Sequence, residues 1–259
     1  MIEAGEWTRG ITRLAVLTGA GISTDSGVPD YRGPDGLWTR DPSAVEAFTY
    51  SRFMTDPAAR ARFWRTYVDH PAWRAEPNAA HRTLVALQRS GTAVRVLTQN
   101  VDGLHQQAGL PARTVLELHG TIHEVRCTGC DVRTPTAATL ARVRAGVTDP
   151  RCDDCGAILK LAVVLFGEYL DDPVLDHARR IAAASQLLLA VGSSLRVEPA
   201  ASLCAVAVRA GARLVIVNRD ETPYDDLADE VVREPIGEAL PRIVAALHAN
   251  RRPTPTRMK

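Results

Sequence analysis

No apolar run in this chain approaches the roughly 18 residues that a membrane-spanning helix needs. The opening MIEAGEWTRG carries acidic residues and lacks the apolar core of a secretory leader. Both absences lead us to expect a cytoplasmic protein with no membrane partner. Neither sign of charge is in excess: 31 Lys and Arg against 30 Asp and Glu leave a formal net charge of +1, which gives no basis for general nucleic-acid binding. Cysteine is scarce, five residues in 259, and four of the five fall in two tight pairs. That usage suits metal binding in a reducing compartment better than a disulfide framework. The chain has no internal repeat, and its length suffices for one large core or for a large domain carrying a smaller inserted one. The tail RRPTPTRMK is basic and proline-containing, and is expected to be mobile.

What the chain does contain is a stretch, Leu14 to Gly33, around which the rest is arranged: LAVLTGAGISTDSGVPDYRG. Leu14 to Thr18 are apolar or β-branched enough for a buried parallel strand, and Gly19-Ala20-Gly21 follows at once. Glycines at such a turn let backbone N–H groups approach an anion closely, although a Gly-x-Gly after a strand also serves as a plain tight turn. The usual dinucleotide fingerprint has a third glycine and an acidic residue about 20 residues on, and this chain lacks both. Instead Ser23, Thr24, Asp25, Ser26, Gly27 and Pro29 lead into Asp30-Tyr31-Arg32-Gly33-Pro34, a composition that breaks regular structure and suggests a loop lying over a ligand.

Further along, periodicity predicts a helix from Ala58 to about Val68 within an aromatic- and Arg-rich segment. A second helix, capped by Asn78 and stopped at Gly91, has Ala79, Leu84 and Leu87 on one face. Strands are predicted at 93–98 and 114–118. The span 121–165 holds the paired cysteines and interrupts the alternation. It then resumes with a helix at 173–184, a strand at 186–191, a helix at 199–210, a strand at 213–217, a strand near Val231 and a helix at 238–249. Such alternation predicts an α/β fold, a doubly wound parallel Rossmann-like sheet with a smaller helical and zinc-binding module inserted. The expected division assigns 1–35, 80–120 and 166–259 to the sheet domain, 36–79 to a helical lid and 121–165 to the metal module.

Ligands of such sheets sit at the carboxyl ends of the strands. Gln99, Asn100 and Asp102 follow the second strand, His119 the third, Gly192-Ser193-Ser194 the fourth and Asn218 the fifth, so four strands deliver polar groups beside the glycine turn. This convergence makes His119 the candidate catalytic imidazole, whereas His81 and His105 fall in predicted helices, His70 lies beside a proline, and His123, His177 and His248 carry no pattern. Asp102 reads equally well as a cap for the following GLHQQAG segment. Cys127-x-x-Cys130 and Cys152-x-x-Cys155 are separated by 21 residues. Two such pairs complete a closed tetrahedral zinc site, although the spacing lies just beyond the common range and leaves a metal-free site open. Cys204 reads as a small buried hydrophobe.

Taken together, GAGISTDSGVPDYRG, TQNVDGLHQQAG, ELHG, the two CxxC pairs, FGE at 166–168, VGSSLRVEPA and VNRD resemble the sirtuin family in register over nearly the whole chain. The resemblance implies NAD-dependent removal of acyl groups, acetyl first, from lysine in protein or peptide substrates, with zinc as a structural ion. It implies a base role for His119, a place for Asn100 and Asp102 at the nicotinamide ribose and a pocket water, and one for Gln99 on the ribose hydroxyls. It further implies cofactor contacts at Gly19, Ala20, Gly21, Ser23, Asp30, Gly192, Ser193, Ser194, Asn218, Arg219 and Ile236. Tyr31 and Arg32 would close over the nicotinamide. Val164, Phe166, Gly167, Glu168 and Val197 would form two edges between which the substrate peptide adds as a strand. Tyr31 stands where many relatives have Phe. Trp64 and Tyr67 stand where the desuccinylating branch has a Tyr and an Arg, which implies neutral acyl groups. Glu198 either favours basic residues beside the target lysine or is a solvated carboxylate. A mono-ADP-ribosyltransferase and a non-catalytic NAD sensor are the alternatives that the sequence leaves open.

Overall fold

The computed structural model describes residues 6–31, 33, 36–41 and 44–250. Arg32 and the tail beyond Asn250 lie outside the described residues. The strands are β1 (Arg13–Thr18), β2 (Ala93–Thr98), β3 (Val115–Glu117), β4 (Gly120–Cys127), β5 (Arg133–Pro135), β6 (Leu159–Val163), β7 (Leu187–Val191), β8 (Arg213–Val217) and β9 (Glu230–Val232). The helices are α1 (Leu37–Arg40), α2 (Ala44–Ala47), α3 (Tyr50–Thr55), α4 (Pro57–Val68), α5 (Ala79–Arg89), α6 (Leu104–Gln107), α7 (Thr136–Arg144), α8 (Asp172–Ala184), α9 (Leu203–Arg209) and α10 (Ile236–Ala249).

Apolar segments buried on both faces require a sheet with helices on each side, and the chain supplies them. A six-stranded parallel sheet runs β3-β2-β1-β7-β8-β9. Leu14, Val16, Val94, Val96, Leu189 and Val215 face one layer, where they meet the apolar sides of α5 and α10. The alternate residues Ala15, Leu17, Leu97, Leu188, Leu214 and Ile216 face the other, against α8 and α9. Cys204 lies in that second layer, wholly buried, and burial pushes its thiol up to about 12. The strand order reverses between β1 and β7, the switch point at which such sheets form a crevice.

Local signals account for most element ends. Asn78 caps α5 with its side chain on the Ala80 and His81 N–H groups, and Asp171 caps α8. Ala79, expected on the buried face of α5, is exposed, and the buried stripe begins at Ala80. Helix α9 starts at Leu203 rather than at Pro199, because residues 199–202 form tight turns in which the Ala201 N–H reaches the Val197 carbonyl at 3.0 Å. After the glycine turn the chain forms a 3-10 helix, Ala20–Ser26.

The interrupting span forms a three-stranded antiparallel sheet, β5-β4-β6, with α7 packed on it. Its apolar side chains, Ile122, Val125, Leu159 and Leu161, share one core with Phe48, Phe53, Phe63, Trp64 and Tyr67 from the helical segment. At one edge of this lobe Cys127, Cys130, Cys152 and Cys155 place all four sulfurs within 4.8 Å of one another, with 3.4 Å between Cys127 and Cys155 and 3.8 Å between Cys130 and Cys152. A tetrahedral zinc with Zn–S bonds of about 2.3 Å sets its sulfurs about 3.8 Å apart, so the donor set fits that ion and is too wide for disulfides. Backbone N–H groups of Cys130 and Gly129 point at the Cys127 sulfur, 3.5 and 3.4 Å away, and lower its thiol to about 6. Four thiolates fill the coordination sphere, which makes the zinc structural.

Where β1 and β2 end, two buried imidazoles support the sheet. The Thr18 hydroxyl donates to Thr98 Oγ1 at 2.8 Å, and therefore accepts at 3.0 Å from Nε2–H of His105. The His81 ring lies edge-on, 4.9 Å from that of His105. Burial lowers His81 to about 4 and His105 to about 3.

Two predictions follow from this arrangement. Unfolding below pH 6.5 lets both imidazoles take up protons that the native state refuses. Stability is therefore complete above that pH and falls as pH drops toward 4, by up to about 1.4 kcal/mol per pH unit for each imidazole. Urea midpoints measured from pH 7.5 to 5 are expected to show this fall, and His105→Gln, which keeps a donor to Thr18, to flatten it. Elemental analysis is expected to find one zinc per chain, and its removal by a chelator to lower Tm and weaken the near-UV circular dichroism of Trp64 and Trp73.

Candidate functional site

A parallel sheet directs the carboxyl ends of its strands to one edge, and here all six ends open on one cavity of about 910 Å³ between the sheet and the smaller lobe. It is lined by Gly19, Ala20 and Gly21 after β1, Gln99 and Asn100 after β2, His119 after β3, Gly192, Ser193 and Ser194 after β7, Asn218 and Arg219 after β8, and Ile236 at the start of α10. Asp30 and Tyr31 line it from the connection after the 3-10 helix, and Val164, Phe166, Gly167, Glu168 and Val197 from the far wall. The sequence thus named about half of the residues on this wall. A volume near the upper end of ordinary cofactor clefts accommodates a dinucleotide.

The glycines do different work from that expected. The N–H groups of Gly19, Gly21 and Gly192 donate to Val191, Gly192 and Val217 carbonyls at 3.0, 2.9 and 2.9 Å, prolonging the sheet's ladder past its strands. They are glycines because the two turns touch. A Cβ on Gly19 would lie 2.7 Å from the Gly192 carbonyl oxygen, and one on Gly192, whose φ is +63°, would lie 2.5 Å from the Ile22 nitrogen. Close approach, and not direct anion binding by glycine N–H groups, fixes these residue types.

His119 is held by its own neighbours. Its Nδ1 lies 3.0 Å from the Gln99 carbonyl oxygen, which can only accept, so Nδ1 carries the proton and Nε2 keeps its lone pair. Burial lowers the imidazole pKa below 6.5, partly offset by that hydrogen bond. The neutral, basic form is therefore the resting state at pH 7. Gly120 follows with φ +78°, and a Cβ there would lie 1.9 Å from the Ala162 carbonyl oxygen, so only glycine lets the chain leave His119 against β6. The His119 carbonyl accepts from Val164 N–H at 2.9 Å, tying the imidazole's strand to the far wall.

Ser23 and Asp102 do not line the cavity, contrary to the direct cofactor contacts implied for them. Both are buried one layer behind: Asp102 Oδ2 accepts from the Ser23 hydroxyl at 2.7 Å, and Ser23 Oγ accepts from Asn100 Nδ2 at 3.2 Å. Asp102 Oδ1 accepts from Leu104 N–H at 3.0 Å, so its capping of α6 and its link to Asn100 coexist. Gln99 donates to Ser193 Oγ at 2.9 Å, joining the ends of β2 and β7.

On the far wall, the backbone of Phe166 is already engaged. Its N–H and C=O pair with the Phe48 carbonyl and the Tyr50 N–H at 2.9 and 2.8 Å. The Glu168 carboxylate turns back on its own loop, accepting from Leu165 N–H at 2.9 Å and from Lys160 Nζ at 3.0 Å. Glu198, exposed at the cavity, likewise accepts from Ser202 N–H and the Tyr224 hydroxyl, both at 3.0 Å. Tyr67 lines the cavity, whereas Trp64 is fully buried against Phe63 behind it. Residues that sequence reasoning missed include Phe48 and Pro71 at the apolar end and Arg233, Glu234 and Pro235 after β9. The strand-end rule that found Asn218 applies equally to those last three.

Comparison with known proteins places this geometry. The Sir2 family pattern matches residues 19–199. The chain is 60% identical over 234 residues to NAD-dependent protein deacetylase 2 of Streptomyces coelicolor, covering 90% of this chain and 97% of that one. It is 44% identical to the NAD-dependent protein deacetylase of Sulfolobus acidocaldarius, covering 90% and 89%. Among solved structures, a Sir2 variant with a deacetylated p53 peptide and 3'-O-acetyl ADP ribose superposes with a TM-score of 0.83 at 36% identity, covering 91% of this chain and 93% of that one. A Sir2 complex with p53 peptide and NAD+ superposes with a TM-score of 0.81 at the same identity and coverage. On the family match, the identity to these relatives and the shared fold, the chain belongs to the Sir2 family, the sirtuins.

Proposed function

We propose that this chain removes acetyl groups from protein lysines with NAD as co-substrate. The observation that carries the reading is His119, neutral and fixed as the Nδ1–H tautomer at a cavity on which six strand ends converge. When bound, NAD supplies the ADP-ribosyl group to which the acyl group is passed, and nicotinamide is the group that leaves. Nε2 of His119 takes the proton from a ribose hydroxyl, and the Gln99 carbonyl stabilises the imidazolium that results. Asn100 faces the nicotinamide side, held by Ser23 and, through it, Asp102, which acts as a positioning residue. Gly19, Ala20, Gly21, Ser193 and Ser194 form the surface beneath the phosphates. Tyr31, which lines the cavity, shields the nicotinamide side from bulk water. The substrate peptide lies between the Val164–Glu168 loop and Val197, and one water is consumed in forming free lysine, nicotinamide and O-acetyl-ADP-ribose.

We assign residues 1–35, 80–120 and 166–259 to the NAD-binding domain, 36–79 to the helical lid and 121–165 to the zinc module. Among the described residues no helix is long and apolar enough to cross a membrane. We place the enzyme in the cytoplasm, acting on acetylated proteins there.

Three outcomes test the reading. His119→Ala is expected to lower kcat on an acetyl-lysine peptide by about 10²–10⁴-fold while NAD still binds by calorimetry. In the parent enzyme kcat/KM is expected to fall on the acid side with an apparent pKa below 6.5, since the imidazole must be unprotonated to act. Mass spectrometry is expected to find O-acetyl-ADP-ribose; ADP-ribose attached to protein instead would favour the transferase alternative.

A further inference from the structure

Tyr67 is a buried polar residue in an apolar setting. Only 4% of its surface is exposed, and it lines the cavity beside Phe48, Pro71 and Val101. Its ring is locked in place, with centroids 4.9 Å from Phe63 and 6.0 Å from Phe48, and stacked on His70 at 5.3 Å. The Phe48 carbonyl accepts from Phe166 N–H at 2.9 Å, and Val164 N–H from the same loop reaches the His119 carbonyl. Tyr67 is thereby placed on the His119 side of the cavity, away from Asn218 and Arg219. Among the described residues its hydroxyl has no hydrogen-bond partner, although the rest of the ring is fully packed. Burial, with a smaller contribution from Tyr31, raises its pKa well above 10, so it remains a neutral O–H donor throughout the physiological range.

A donor held at a cavity wall discriminates for a ligand that places an acceptor opposite it, because a plain chain that covers the hydroxyl takes its water away and gives no partner in return. Building on the deacylase reading above, we infer that Tyr67 selects acyl groups bearing a hydroxyl on a short aliphatic chain, of the lactyl and 3-hydroxybutyryl kind, over the plain chains of equal length. The aliphatic part packs on Phe48, Pro71 and Val101, and the acyl hydroxyl accepts from Tyr67. A carboxylated chain is not matched, since a neutral phenol supplies no counter-charge to a desolvated carboxylate.

The experiment measures kcat/KM with saturating NAD on one peptide carrying acetyl-, propionyl-, lactyl-, butyryl-, 3-hydroxybutyryl- or succinyl-lysine, for the full chain and for Tyr67→Phe. In the parent, at least one hydroxylated chain is expected to exceed its plain counterpart about tenfold, the scale of one recovered hydrogen bond. Tyr67→Phe is expected to bring that ratio to about 1. Each ratio is internal to one enzyme, so a general loss of activity leaves it unmoved, and the substitution removes an oxygen that no described residue holds. Ratios near 1 in the parent, a ratio that survives Tyr67→Phe, or preference for succinyl over butyryl overturns the inference while leaving deacetylation standing. Failure to turn over any acyl-lysine, acetyl included, overturns the deacylase reading itself.

Discussion

The site depends on two turns that touch. The Gly19–Gly21 turn after β1 and the Gly192 turn after β7 approach until no side chain fits between them: a Cβ on Gly21 would lie 2.8 Å from the Gly192 Cα, little farther than the 2.7 and 2.5 Å contacts of those on Gly19 and Gly192. Contact at the switch point lets the ladder run one residue beyond each strand, through Gly19 to Val191, Gly192 to Val217 and Asn218 to Val232 on one side, and Gln99 to Thr18 and Leu118 to Thr98 on the other. Side chains at positions 99, 100, 119, 193 and 218 are therefore carried by hydrogen-bonded backbone and not by free loops. A rigid rim of this kind fixes the His119 imidazole at the cavity without a dedicated scaffold.

The smaller lobe is joined to that rim at few points, and the joints are specific. Gly120 lets β4 leave His119 in contact with β6, the His119 carbonyl holds Val164, and Phe48 pairs with Phe166. Zinc closes the far edge of the same core that packs Tyr67 and Phe63, so the metal acts on the cavity through packing. A buried polar relay, Asp102 to Ser23 to Asn100, fixes the remaining face, and the neutral His105 imidazole, packed on His81, supports Thr18 at the end of β1. In the relay each donor has an acceptor, whereas Nε2 of His81 and Nδ1 of His105 have no partner among the described residues.

The fold was legible because its strands are short, apolar and separated by helical periodicity, and the strand-end rule then names residues without any knowledge of side-chain direction. What stayed hidden follows from that same gap. Ser23 and Asp102 sit in the right segments, but only coordinates tell a residue that faces the cavity from one that holds its neighbour. The Phe166 backbone and the Glu168 and Glu198 carboxylates looked available because their partners, Phe48, Lys160 and Tyr224, lie far away in sequence or carry no motif. Tyr67 was visible as a substitution for a charged residue, yet its packed ring and unpartnered hydroxyl belong to tertiary structure. The glycine turn was recognised for one reason and is required for another, close contact between chains.

The most direct test of this account is the affinity of Gly192→Ala for NAD, measured by calorimetry beside its circular dichroism and zinc content. A methyl group at a φ of +63°, 2.5 Å from the Ile22 nitrogen, must push the two turns apart, so the account predicts at least a tenfold loss of NAD affinity with helix content and zinc retained. Unchanged NAD affinity in a folded Gly192→Ala protein would contradict it.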